Sequence, residues 1–499
     1  MTGHLLLLPI FIPFVGAAIA LLLRKNNRRE ATWSLIAMSA SLLASILLFA
    51  VVWRTDQPLV FQSGNWPAPF GITLIADLLA AIFVVMIQLV VVMGIVYAIG
   101  SRDSVVRYPA FYVLFLMLAA GLTGAILTGD LFNFYVFVEL VLISGSVLTA
   151  IADHQRSTEA AYKYMYLSLL ASFFILLGIG ALYVSYGTLN MADLAAQIST
   201  QGNRLLLMPA IALLFAAFMV KSAIFPFHFW QPDLYMTAPT AVGAVLSSVV
   251  GKLGVYGFLR MTTLLFVAQA PQIRSFLIVL GVAGVIFGGL SAIGTNDVKR
   301  MLAYSSMAQI GFITVAIGWG TEAALMAAIV FAFNHALIKS AMIMIAGFVA
   351  SWTPGKSAAF QTLSGAGRSL PAAGVLFFIG GLALSGIPPT NGFISKMLLF
   401  GSGIDGAYDW SLLLIGLASI LTLIYTVRAF NRIWWQKAAS PSEVDVECPP
   451  AGDRLIAPAF LIGCVLVLGI WAQPLVRAAE EASTWLGDPG IYIRAVLGG

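Results

Sequence analysis

Apolar runs separated by short polar connections fill this chain from end to end. They lie near residues 5–23, 32–53, 72–99, 109–127, 131–151, 163–186, 205–229, 239–259, 275–294, 301–319, 322–350, 372–400, 408–427 and 455–476. A helix needs about 20 apolar residues to cross the hydrocarbon core of a bilayer. The pattern therefore predicts an all-α polytopic membrane protein of fourteen transmembrane helices, a single transmembrane domain over 1–499. No connection is long enough for a soluble domain. The longest polar stretch, about 435–453 with Glu443, Asp445 and Glu447, reads as a solvated cytoplasmic connector.

Two of the runs are interrupted in the same way. Lys221-Ser222-Ala223-Ile224-Phe225-Pro226 and Leu384-Ser385-Gly386-Ile387-Pro388-Pro389 both place a Ser-small-Ile-x-Pro string inside a long apolar span. Proline removes a helical hydrogen bond and opens the helix. Such a break is tolerated at membrane depth where it is packed in protein or lines a cavity. Broken helices at Pro226 and at Pro388/Pro389 fall in the seventh and twelfth spans, which enter from opposite sides. Paired breaks of this kind point to an ion path. They predict two inverted five-helix repeats, spans 4–8 (109–259) and 9–13 (275–433), between an N-terminal part (1–108) and a C-terminal helix and tail (454–499).

Composition and charge fit that picture. The chain is 60% hydrophobic and only 9% charged, where a soluble domain carries about 25% charged residues; its mean hydropathy is +0.97. Arg24, Lys25, Arg28 and Arg29 directly follow the first span, which lacks the basic start of a cleavable signal. Those charges predict an outside N-terminus, and fourteen spans put the C-terminus outside as well. Of 26 Lys and Arg residues, sixteen fall on predicted cytoplasmic segments, six outside and four within the membrane, the asymmetry of the positive-inside rule. The pI near 9.1 does not imply nucleic-acid binding, because the charge is spread among short loops. Cys448 and Cys464 have no metal-ligand spacing, and His4, His154, His228 and His335 are scattered, so no metal site is expected. Neither a Walker-type string nor a haem-attachment motif occurs, which argues against nucleotide and redox cofactors.

Five ionisable residues sit inside the apolar runs: Glu139, Lys221, Lys252, Lys339 and Lys396. Each costs roughly 2.5–3.5 kcal/mol at a helix centre on insertion scales. Ionisable groups at that depth face one another or a wet cavity, and they mark an ion or proton path. Glu139 lies mid-span. Lys221 stands deep in its span, too far from an interface to snorkel. Lys252 is flanked by Gly251 and Gly254, small neighbours that leave room for water or a close helix; a span ending near 259 also allows it to reach the outer interface. His335 and Lys339, four residues apart, share one helix face, and a histidine takes up or releases a proton near neutral pH. Lys396 follows the second break, with snorkelling as the competing reading. His228 and Asp233 flank the first break, and Ser222 and Ser385 are placed to hold water; these four are secondary candidates. Asp77 and Asp130, near predicted outer ends, read as solvated interface charges. No dense set of carboxylates marks a sodium site.

Four strings in these regions resemble the antiporter-like subunits shared by respiratory complex I and the Mrp multisubunit sodium/proton antiporters. They are GDLFNFYVFVEL (129–140), KSAIFPFHFWQPD (221–233), NHALIKS (334–340) and SGIPPTNGFISK (385–396). LPIFIPF (8–14), GNWPAPFGITLIADL (64–78), GTLNMADLA (187–195) and DPGIYIRAVL (488–497) look like the D-type Mrp subunits in particular. The resemblance covers essentially the whole chain. It implies an ion pair between Glu139 and Lys221, and a polar axis Glu139–Lys221–Lys252–His335/Lys339–Lys396 through two half-channels. It also implies partner subunits in a multisubunit complex, alongside membrane lipid. Inward proton flow would drive sodium out across a bacterial cytoplasmic membrane. Asn334 stands where the D-type pattern often has a second histidine. Two other readings stand beside this one. One is a proton-pumping subunit of complex I or a membrane-bound hydrogenase. The other is a scaffold whose charges only fix helix packing.

Overall fold

The computed structural model describes residues 2–152, 155–437 and 452–498; His154, Cys448, Glu443, Asp445 and Glu447 lie outside them. The chain begins with α1 (Leu8–Leu23), α2 (Asn27–Thr55), α3 (Leu78–Gly100), α4 (Phe111–Leu127), α5 (Leu131–Ala150) and α6 (Gln155–Tyr186). Asn26, Asp77 and Asp130 start α2, α3 and α5, their side-chain oxygens accepting the N–H groups of Arg29, Ala80 and Asn133. Such caps satisfy donors that every helix start leaves open. An amphipathic helix α7 (Met191–Gln201) leads into the two halves of the seventh span, α8 (Leu207–Ser222) and α9 (Trp230–Thr237). Then come α10 (Thr240–Leu265), α11 (Ala270–Gly294), α12 (Val298–Trp319) and α13 (Glu322–Ala350). The twelfth span is α14 (Pro371–Ser385) with α15 (Asn391–Asp405). Helix α16 (Asp409–Trp435) precedes α17 (Ile456–Ile470) and α18 (Gln473–Gly487), a pair bent by 74°, and α19 (Pro489–Leu497) ends the described chain.

Among the described residues, ten helices are long and apolar enough to cross a membrane, three apolar helices are shorter, and α17 with α18 form the bent pair. These are the fourteen expected spans. Several boundaries differ from the sequence reading, among them the end of α16, at Trp435 rather than 427. The run 72–99 is not all helix: Thr73–Ala76 pairs antiparallel with Leu59–Gln62, and the Asp77 cap starts α3 after it. Helix α6 starts at Gln155 rather than 163, and α10 continues to Leu265 rather than stopping near 259. Helix α7 was not expected, and the fourteenth span turns sharply near Ile470 instead of running to 476.

Both breaks close identically. At the first, the N–H of Ala223 bonds Val220 O and that of Ile224 bonds Met219 O; at the second, Gly386 bonds Ala383 O and Ile387 bonds Leu382 O. This is the Schellman closure, which needs a left-handed residue after the helix. Ala223 (φ 54°) and Gly386 (φ 77°) supply it. For alanine that conformation costs roughly 1–2 kcal/mol.

Helices α10, α12 and α13 form the centre of the bundle. Their apolar stretches are 100%, 94% and 94% buried, against 33% for α16. A lysine on any of the three meets protein on every side. At one end of the bundle the hairpin, α5, α7 and α19 are tied together through Thr73, Gly129, Asn190 and Val496. At the other end, Asp453 joins Ser101 and Arg102 to Ser351, Lys356 pairs with Asp103, and the connection into α12 bonds Ala358 and Phe360.

Candidate functional site

The buried lysines form a row across the middle of the bundle. Lys221, Lys252, Lys339 and Lys396 keep only 7%, 1%, 0% and 5% of their surface exposed, which removes snorkelling as an account of any of them. Among the described residues no carboxylate stands within ion-pair distance of these four amines.

Lys221 is the penultimate residue of α8, just before the break. Its Nζ donates to Ser168 O at 3.2 Å and Ser172 Oγ at 3.3 Å, both on α6. The expected contact pair with Glu139 is therefore not formed, because the amine turns to a buried carbonyl and hydroxyl of α6. Glu139 is half-buried on α5, and its Oε1 is shielded from solvent without a hydrogen-bond partner.

The centre of the row is built by contact. Lys252 Nζ lies 2.9 Å from His335 Nδ1, joining α10 to α13. Gly254 brings the neighbouring helix onto α10: a Cβ there would collide with Ser222, so only glycine lets α8 lie directly on it. One turn along α13, Lys339 Nζ donates to Leu302 O at 2.8 Å and to Ser305 Oγ, both on α12. Thus His335 and Lys339 share a helix face as expected, yet they reach different helices. His335 faces the first half of the chain and Lys339 the second.

Helix α12 continues the row. Ser305 holds Lys339, Gln309 follows about one turn on, and the Phe312 ring lies 5.4 Å from Lys396 Nζ. Gln309 Nε2 and Tyr425 Oη are buried polar atoms without a protein partner, the chemistry that ordered water satisfies. Lys396 Nζ donates to Ser385 O at 2.9 Å and to Ser419 Oγ at 2.6 Å. A continuous helix would bond Ser385 O to the N–H of residue 389. Pro389 has none, so the break itself presents the acceptor to Lys396. Asn334 is tied to α15 by Asn391 O (3.1 Å), Ser395 Oγ (2.9 Å) and the Asn391 amide (3.0 Å).

The secondary candidates divide. His228 is buried against the rings of Phe225, Phe229 and Phe287 with Nδ1 unpartnered. Asp233 lies outside the row, paired with Lys163 at 3.1 Å in a half-exposed site. Ser222 donates to Phe218 O at 2.6 Å. Ser385 joins the row through its carbonyl, its hydroxyl meeting Thr426 at 2.9 Å. Asp77 corrects the sequence reading: it is buried and grips Arg260 in two bonds of 2.6 and 2.8 Å, with Tyr256 and Tyr492 against the guanidinium. Arg260 lies within α10, which runs past the end near 259 that the sequence suggests. Asp130 is a helix cap. Asn391, Ser395, Ser419 and Gln309 were missed, since neutral polar residues stand out little in an apolar run.

Residues 128–422 match the family described as NADH:quinone oxidoreductase/Mrp antiporter, TM. The chain belongs to this family. The D-type subunit of the Na(+)/H(+) antiporter of Alkalihalophilus pseudofirmus is 30% identical over 497 residues, 99% of each chain. The N-type subunit of the NADH-quinone oxidoreductase of Desulforudis audaxviator is 35% identical over 483 residues, 94% of this chain and 95% of its own. A chain of the Mrp complex from Dietzia sp. DQ12-45-1b superposes with a TM-score of 0.90 at 25% identity, covering 100% of this chain and 99% of that one. Like those antiporter-family proteins, this one is a transporter-type membrane subunit.

Proposed function

We propose that this protein is the proton-conducting D-type subunit of a multisubunit sodium/proton antiporter in a bacterial cytoplasmic membrane, with both termini outside. The observation that carries the reading is the Lys252–His335 contact at the crossing of the two halves, with Lys339 one turn away. Protons move along the row one site at a time: a proton shared between Lys252 and His335 exchanges with the neutral Lys339 amine, and Lys339, once an ammonium, exchanges it with its neighbours, Lys396 among them, beside Gln309 and Tyr425. Glu139 and Lys221 act at the other end of the same row, where a change in charge on one shifts the proton affinity of the other. The two units, 109–259 and 275–433, each contribute one break and one lysine beside it. Partner subunits complete the complex, and sodium crosses in one of them.

The 35% identity to a quinone oxidoreductase subunit favours a second reading, a pump driven by electron transfer in neighbouring subunits. Two-way coverage of 99% with an antiporter subunit favours the first. Sodium-driven proton movement, measured in vesicles containing the assembled complex without quinone or electron donor, separates them. Exchange under those conditions supports antiport, and its absence, with proton pumping restored by quinone reduction, would establish the second reading.

A further inference from the structure

At the end of the bundle near Asp453, a cavity of about 620 Å³ is lined by Asp103, Arg156, Asp297, Lys299, Lys356 and Asp453. All but one of these are tied down or solvated. Asp453 accepts from Tyr97 Oη (2.8 Å), Ser101 Oγ (3.0 Å) and the Arg102 N–H (2.8 Å). Asp103 pairs with Lys356 at 3.0 Å, Asp297 caps α12 through the Arg300 N–H at 2.9 Å, and Arg156 is exposed. Lys299 differs. It is buried, its Nζ meets Thr240 Oγ1 at 3.3 Å, and among the described residues no carboxylate is within ion-pair distance.

Its place on α12 gives it a direction. Leu302 and Ser305, which hold Lys339, follow three and six residues later, about 4.5 and 9 Å of helix rise. Helix α13 runs alongside, with Gly347 in the cavity wall packed on Thr240. Lys339 stands eight residues back from Gly347, about 12 Å along α13. An unpaired amine thus fills the distance between a charged cavity and the central row.

We propose that this cavity is the proton port on its side of the membrane and that Lys299 relays protons between it and Lys339. The proposal rests on the proton-conducting reading above. The relay makes and breaks only N–H and O–H bonds. A proton leaves the Lys339 ammonium through water and binds the Lys299 amine; Lys299 then releases it to cavity water and returns to the neutral amine. The Lys/Arg distribution assigns this face to the cytoplasm.

The test uses the assembled complex in vesicles, in a Cys448→Ser/Cys464→Ser background. Ser357→Cys, in the cavity wall, is treated with a charged, membrane-impermeant thiosulfonate, and exchange is compared with the same vesicles before reagent. Reagent on the cavity side should cut exchange at least tenfold, reagent on the other side should not, and a thiol reductant should restore it. Lys299→Ala and Lys299→Arg should each lose at least tenfold, since arginine keeps its proton. Full activity in Lys299→Arg, or no block of the Ser357→Cys variant from the cavity side, overturns the proposal. If a Lys299 variant fails to assemble, the sidedness of the Ser357→Cys block decides alone. An inactive Lys339→Ala beside normal Lys299 variants moves the port elsewhere and leaves the conduction reading standing. A fully active Lys339→Ala defeats that reading itself.

Discussion

At the scale of single residues, the row depends on amines that can be neutral. Lys339 is wholly buried, and its Nζ meets only a carbonyl and a hydroxyl. A guanidinium in that place would stay charged at any working pH. Lys339→Arg should therefore cut sodium-driven proton exchange in vesicles at least tenfold, as Lys339→Ala does; full activity in the arginine variant would make Lys339 a fixed charge. Asp77 and Arg260 have the opposite task, a bidentate pair held in one fixed geometry. Removing one partner of such a buried pair costs about 3–5 kcal/mol, while replacing both with apolar residues is often neutral. Asp77→Ala should lower the thermal stability of the detergent-solubilised complex, and Asp77→Leu with Arg260→Met should recover most of it. Equal stability of all three forms would remove the pair from any structural role. The row was legible in the sequence because a lysine in an apolar run has no cheap explanation. The Asp77–Arg260 pair was not legible, since each partner sits at a span end where a solvated charge is ordinary.

At the scale of elements, each proline presents a carbonyl. Ser385 O receives Lys396 because residue 389 has no N–H to offer it. Ser222 O, four residues before Pro226, lies against Gly251 of α10. Pro389→Ala returns a competing donor to Ser385 O, and Pro226→Ala does the same for Ser222 O. Both should slow proton flux, Pro389→Ala the less because Pro388 and the left-handed Gly386 keep the helix open. Undiminished flux together with a closed helix would leave the prolines a packing role. The breaks were readable from five matching positions. The hairpin, the amphipathic α7 and the turn between α17 and α18 were not, because an apolar strand or a bent helix carries the same hydrophobic signal as a straight span.

At the scale of the whole molecule, Glu139 and Lys221 belong to one end of the row although they do not touch. Glu139→Ala and Lys221→Ala should each abolish exchange while partner subunits still copurify from membranes. Near-normal transport by either assembled variant would detach that end from the mechanism. The larger consequence comes from the missing acids. Lys252 touches His335 and Lys339 follows one turn along α13, and among the described residues no carboxylate is within ion-pair distance of any of the three. Like charges so close repel strongly in a low-dielectric interior, so the three sites cannot all be occupied at once. Occupancy is anticooperative, and what advances along the row is a vacancy as much as a proton. Traffic of that kind has an optimum. It stalls when the sites are empty and stalls again when they are crowded, so transport should rise and then fall as proton supply increases.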